Sequence, residues 1–163
     1  MNQNQMPPCP QACGCGSEIK QIGFVTRDLN RAMAHIKCAF GLEPVGFAQT
    51  PDTGNKTYGG EPEDFCAQMA FYRFGEMDVE VIQPLRGRSV WEDFLKERGE
   101  GLHHIQVWTK NFAATRAYLE ANGMPMLQGG ESFRYPGAEF GYFDATAQLG
   151  YYIEVFNPEE CGY

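Results

Sequence analysis

Residues 21–29 read QIGFVTRDL, and residues 104–112 read HIQVWTKNF. Laid over each other without a gap, they share one pattern: polar, Ile, any residue, two apolar residues, Thr, a basic residue, Asp or Asn, and an apolar residue. Each copy predicts the same local event, a strand that ends at threonine and a helix capped just beyond it. Farther along, VEVIQP at 79–84 lies over IEVFNP at 153–158. The first match is offset by 83 residues and the second by 74, so the nine-residue difference falls in loops. Two matches in the same order predict two copies of one β-α-β-β-β module.

Working outward, residues 19–26 read as the first strand. Asp28 or Asn30 caps a helix whose apolar stripe is Leu29, Met33, Ile36 and Phe40. Gly41 ends it, because glycine enters the left-handed cap conformation at little cost. Residues 51–64, rich in Gly, Pro and Asp, predict a loop. Strands follow over 66–74 and 77–83, with Gly75-Glu76 as their turn. Ser89 opens a short helix with Glu92 at capping-box spacing, and Gly99 closes it. The order then restarts with a strand over 102–109 and a helix capped by Asn111, its buried side formed by Phe112, Thr115, Tyr118 and Leu119. Gly123 stops that helix, a Gly-rich loop runs through Gly129-Gly130, and strands over 140–145 and 151–156 finish the pattern. The organisation is therefore a flexible Cys-rich tail over 1–17, a first module over 18–84, a linker helix over 85–101, a second module over 102–158 and a short tail over 159–163.

Thirteen Lys and Arg against 21 Asp and Glu give a formal net charge of -8. That balance excludes a general nucleic-acid binder, which needs a basic surplus to displace counterions from phosphates. No apolar run reaches the roughly 18 residues of a membrane span. The opening MNQNQMPPCPQACGCGSEIK has neither the positive region nor the apolar region of a signal peptide, so a cytoplasmic location with no membrane partner is predicted. Of the six cysteines, Cys38 and Cys66 read as buried free thiols. Cys9, Cys13 and Cys15 lack the second Cys/His pair of a zinc site, and with Cys161 they fall in the tails.

Four polar residues stand out because the repeat makes them equivalent. Gln21 and His104 occupy one point of the two leading strands, and Glu80 and Glu154 one point of the two closing strands. In a pseudo-twofold fold, equivalent points converge on the axis. Val79 and Val81 flank Glu80, and Ile153 and Val155 flank Glu154; if these neighbours face helices, both carboxylates face the concave side. A strand glutamate taken alone is more often an exposed residue on a half-buried sheet. As a set, two carboxylates meeting an imidazole and an amide are most simply reconciled by a divalent cation, since isolated inward carboxylates are costly. His103 and His104 compete, because adjacent strand residues point to opposite faces; register with Gln21 selects His104 and leaves His103 as a satisfied edge histidine or one that supports the ligands from behind.

These residues resemble a known group. The stretches IGFVTRDLNRAMAHIKCAFGLEP (22–44), DVEVIQPLRGRSVWEDFLKERGEGLHHIQV (78–107) and YYIEVFNP (151–158) resemble the vicinal-oxygen-chelate superfamily, which includes glyoxalase I, extradiol dioxygenases, methylmalonyl-CoA epimerase and bleomycin or fosfomycin resistance proteins. The closest likeness is to methylmalonyl-CoA epimerases. It implies an α+β fold of paired βαβββ modules forming a curved mixed sheet around a concave metal site. Gln21, Glu80, His104 and Glu154 fall on the four metal-ligand positions, and Gln-Glu-His-Glu resembles the zinc quartet of animal-type glyoxalase I. The epimerase's second, non-ligand base falls on Gln68, which accepts no proton usefully at neutral pH. The glutathione-anchoring arginine of glyoxalase I falls near Val25.

The chemistry this implies is proton abstraction next to a carbonyl or thioester by a metal-dependent isomerase, epimerase or lyase, with Glu154 as base and Glu80 as ligand or partner. Zinc, cobalt, manganese or nickel suits the set; iron suits it less. Gln68, Tyr72 and Tyr142 are expected to line the pocket, and Arg86 and Arg88 to meet a carboxylate or phosphate of a small substrate such as an acyl thioester. Two alternatives stand: a non-catalytic binding or resistance protein, and an iron-dependent dioxygenase, although Gln21 replaces one of the two histidines the latter requires. Superfamily members often dimerise, so a homodimer is expected.

Overall fold

The computed structural model describes residues 15–51, 55–133 and 135–158, with side chains from Glu18 onward. Cys9, Cys13 and Cys161 lie outside the described residues, as does the Cys15 side chain. The elements are β1 (Cys15–Val25), α1 (Leu29–Phe40), β2 (Gly46–Gln49), β3 (Lys56–Tyr58), β4 (Glu61–Pro62), β5 (Cys66–Phe74), β6 (Met77–Arg86), α2 (Val90–Glu97), β7 (Gly101–Thr109), α3 (Phe112–Ala121), β8 (Met126–Glu131), β9 (Glu139–Ala145) and β10 (Tyr151–Asn157). None of the helices is long and apolar enough to cross a membrane.

Local chemistry starts each helix where the sequence places it. Asp28, rather than Asn30, caps α1, its side chain accepting from the Arg31 N–H at 2.9 Å. Asn111 does the same for α3 through Ala114, and Ser89 for α2 through Glu92. Each supplies an acceptor to a helix-end N–H that has no partner within the helix. Gly41 closes α1 at φ 70, in the left-handed region.

All ten described strands join one mixed sheet, in the order β2-β5-β6-β1-β7-β10-β9-β8-β3-β4. At its centre β1 runs antiparallel to β7, while β1 is parallel to β6 and β7 is parallel to β10. Ile22 pairs with Ile105, Gly23 with Glu80, and Gln106 with Glu154. Those pairings carry the same offsets of 83 and 74 residues seen in the sequence. A local twofold therefore passes through the Ile22–Ile105 pair.

The helices divide the core into three clusters. Leu29 of α1 packs with Ala70, Tyr72, Val79 and Val81 on one side of β5 and β6. Phe112 and Leu119 of α3 pack with Phe143 and Val155 of β9 and β10. The short α2 instead puts Val90, Trp91, Phe94 and Leu95 against Val25, Met69, Ile82 and Tyr142. Met69 and Ile82 belong to the opposite face of their strands from Ala70 and Val81, so α2 fills one end of the concave side.

Three expectations need correction. The stretch 51–64 is not wholly a loop, since it contains β3 and β4 joined by a turn at Gly59 and Gly60. Gly129-Gly130 is not a loop either, but the middle of β8. A β-carbon at Gly129 would sit 2.8 Å from the Phe140 carbonyl oxygen, and one at Gly130 2.4 Å from that of Asn55. These glycines permit close backbone approach rather than a turn. Cys38 is exposed, whereas Cys66 is buried as expected. Replacing Gly130 by Ala is expected to pry β3 from β8 and to lower stability by about 1–3 kcal/mol, read from the urea midpoint.

Candidate functional site

Strand alternation sends Glu80 and Glu154 to the same side of the sheet. Val79 and Val81 lie beneath α1, and Val155 lies beneath α3, so the glutamates between these positions face away from both helices. In register, Gly23 stands between Glu80 on β6 and His104 on β7, and Glu154 stands between Gln106 on β7 and Tyr142 on β9. Gly23 leaves room for the imidazole: a β-carbon there would sit 1.8 Å from His104 Cε1. The ring lies over β1, with Nε2 3.2 Å from Glu154 Oε2 and 3.7 Å from Glu80 Oε2. His104 is fully buried, and each glutamate is only 7% exposed.

His104 Nε2 has no hydrogen-bond partner despite these contacts. That nitrogen therefore stands close to both carboxylates without a hydrogen bond to either. Gln21 reaches the group through a residue the sequence reading missed. Gln106 Nε2 donates to Glu154 Oε2 at 2.9 Å and to Gln21 Oε1 at 3.3 Å, while Gln106 Oε1 accepts from Trp108 Nε1. Gly23 was missed as well. Its signal was available: a lone glycine inside a strand pattern marks close approach of a neighbour. Gln106 is the repeat equivalent of Gly23, offset by the same 83 residues.

His103 corrects another expectation. It does not point away from His104, because the β1–β7 register slips between Gly23 and Phe24, which pair with His104 and Leu102. His103 is the extra residue of this bulge, and both rings turn to one side. The two Nδ1 atoms are 3.0 Å apart, and His103 Nε2 is 3.3 Å from the Val90 carbonyl oxygen. Burial holds the His103 imidazole well below its ordinary pKa, with the charge of His104 adding to the effect. Burial likewise pushes the Tyr142 phenol well above its ordinary value, reinforced by the negative charges of Glu154 and Glu80. Tyr142 therefore remains a hydrogen-bond donor beside the carboxylates.

The site opens into a cavity of about 630 Å³, lined among others by Gln21, Glu80, Gln106, Tyr142 and Glu154, with Phe65, Phe71, Trp91 and Phe140 as apolar wall. Of the expected pocket residues, Tyr142 is in place. Gln68 and Tyr72 are not, because β5 directs Met69, Phe71 and Arg73 into the cavity and its even-numbered residues to the other face. Gln68 donates instead to Gln83, and Tyr72 is fully buried under α1. Arg86 and Arg88 are also outside the lining; they pair with Asp64 and Glu63 at 3.0 and 2.8 Å. Among the described residues, no group of three or more His, Cys, Asp or Glu stands as a formed metal-holding cluster. The concave metal quartet expected from sequence is thus present only as the pairwise contacts given above.

The sequence profile of the glyoxalase/bleomycin resistance protein/dioxygenase superfamily matches residues 20–142. The chain belongs to that superfamily. Its fold is shared by several solved structures. A hypothetical protein from Bacillus halodurans is 22% identical, with 86% of this chain and 93% of that one covered at a TM-score of 0.63. A variant of Streptomyces coelicolor methylmalonyl-CoA epimerase, in complex with 2-nitronate-propionyl-CoA, is 18% identical with the same coverage and a TM-score of 0.62. Methylmalonyl-CoA epimerase from Mycobacterium tuberculosis is 15% identical, with 95% and 93% covered and a TM-score of 0.63. No curated protein matches the chain.

Within this superfamily member, Gly23 and Tyr142 give two direct tests. Gly23→Ala is expected to displace the His104 ring and destabilise the fold by about 1–3 kcal/mol in urea, with the His104 ring resonances shifted. The second test is an alkaline titration at 295 nm. Burial raises Tyr72, Tyr142 and Tyr152, and the hydrogen bond to Asp93 pushes Tyr58 up to about 12. Groups raised in the folded state favour folding fully below the unfolded value near 10 and lose that contribution as pH climbs toward the folded value. Stability is expected to fall above about pH 10, with these four tyrosines ionising above the ordinary tyrosine value.

Proposed function

We propose that the chain is a divalent-metal-dependent isomerase, epimerase or lyase that removes a proton next to a substrate carbonyl or thioester. One observation carries the reading: a buried imidazole nitrogen without a hydrogen bond meets two buried carboxylates at the wall of a cavity of about 630 Å³. Donors bound to one cation at about 2.0–2.2 Å stand roughly 3.0–3.5 Å from each other. The contacts of 3.2 and 3.7 Å are in or near that range. His104, Glu80 and Glu154 would hold the cation, with Gln21 as fourth donor, and this nitrogen–oxygen set suits zinc, cobalt, manganese or nickel. When bound, the cation supplies a Lewis acid that polarises the carbonyl and makes the neighbouring C–H more acidic.

The chain's own groups define the rest. Glu154 accepts the proton, its Oε2 oriented by the Gln106 N–H at 2.9 Å. Trp91, Phe65 and Phe140 form the apolar wall of the cavity that this carboxylate faces. Tyr142 keeps its proton and offers a donor near the reacting oxygen. Met69, Phe71 and Arg73 line the cavity from β5, so this strand puts no carboxylate opposite Glu154. A single base that takes and returns the proton on one face favours isomerisation between neighbouring carbons over strict two-base inversion. Some solved neighbours hold acyl-CoA compounds, which supports a small acyl thioester or carboxylate as substrate.

The aromatic cavity wall supports a second reading, a binding protein without turnover. Metal content and α-deuterium uptake from D2O into a panel of acyl thioesters and α-hydroxy carbonyls separate the two. About one equivalent of divalent metal per chain is expected. Glu154→Gln is expected to slow exchange about 10²–10⁴-fold without unfolding the protein. Ligand binding without exchange in wild type would favour the second reading.

A further inference from the structure

The His103–His104 pair is unexplained by any ligand role, because His103 does not line the cavity. Its ring is fully buried, stacked on Tyr152 at 4.8 Å and edge-on to Phe94 at 5.2 Å, packing that turns it toward His104 rather than toward solvent. Three hydrogen-bonding facts then fix where protons lie. The Val90 carbonyl oxygen only accepts, so His103 Nε2, at 3.3 Å, must carry a proton. The residue that bears this carbonyl is itself anchored, its N–H donating to Gln128 Oε1 at 2.9 Å. Between the two Nδ1 atoms, 3.0 Å apart, there is one proton. A neutral imidazole carries one proton, and that of His103 is spent on the Val90 carbonyl, so its Nδ1 is left as an acceptor. The shared proton therefore belongs to His104 Nδ1.

We propose that His103 is a positioning residue: by accepting from His104 Nδ1–H it fixes the orientation of the His104 ring, so that Nε2 is the nitrogen turned to Glu80 and Glu154. This deepens the metal-dependent reading, on which it rests for its purpose but not for its geometry. Nε2 meets both carboxylates without a hydrogen bond, an arrangement that a cation between them would favour. The bulge in β7 is what makes the pair possible, since regular alternation would separate the rings. Partners of this kind typically change metal affinity 10–100-fold.

Two measurements on the full chain test the proposal. Ring ¹⁵N spectra of the metal-free protein at pH 8 are expected to show a proton on His104 Nδ1 and none on His103 Nδ1; a proton on His103 Nδ1 with His104 Nδ1 bare overturns the proposal. Titration with zinc(II) alone, against a chelating indicator, is expected to show His103→Phe weakened about 10–100-fold and His103→Asn, whose amide oxygen restores an acceptor, within about threefold of wild type. Equal zinc affinity in His103→Phe overturns the proposal. If wild type binds no zinc, the metal reading fails while the ¹⁵N result still decides the tautomer. If His103→Phe does not fold, the wild-type spectra and His103→Asn decide.

Discussion

The imidazole of His104 occupies the space that a β-carbon on Gly23 would fill, 1.8 Å from its Cε1. Everything functional in this sheet depends on that substitution of ring for side chain. With any other residue at position 23, the ring would have to swing off β1, and its Nε2 would leave Glu80 and Glu154. The cost of placing these groups together is large, since a fully buried imidazole and two nearly buried carboxylates surrender most of their hydration. Packing alone does not favour such a grouping, and the site proposed above places it at the wall of a cavity.

The backbone is near-twofold, but the chemistry is not. Gly23 and Gln106 are equivalent and do opposite things: one vanishes to admit a ring, the other inserts an amide that ties Gln21 to Glu154. Gln21 and His104 are equivalent as well, yet only His104 is buried behind the carboxylates. The asymmetry extends to the helices. α1 and α3 cover matching outer faces, while α2 has no counterpart and fills the concave end with Trp91 and Phe94. This single helix both shapes the cavity wall and, through the Val90 carbonyl, supports the histidine pair.

Much of this was legible in residue order, because caps and alternation are local. Asp28, Ser89 and Asn111 start their helices where short-range hydrogen bonding dictates, and the valines beside Glu80 show which way it faces. The grouping of His104 with the glutamates was legible because the repeat supplied long-range information that a single strand lacks. What failed was non-local or depended on a change of period. The bulge at His103 cannot be read from a regular alternation, so the ring was assigned to the wrong side. Gln68 and Tyr72 share the parity of Ala70, opposite to that of Met69 and Phe71, and so turn away from the cavity. β3 and β8 were obscured by glycines, whose role at 129 and 130 is set by the Phe140 and Asn55 carbonyls, distant in sequence.

The most direct test of the central claim is crystallographic: anomalous scattering from crystals soaked in zinc, with data collected on both sides of the metal's absorption edge. The account predicts one dominant peak about 2.0–2.2 Å from His104 Nε2 and from a carboxylate oxygen of both Glu80 and Glu154. A strong peak elsewhere, with His104 Nε2 still facing the two glutamates and no scatterer between them, would contradict it.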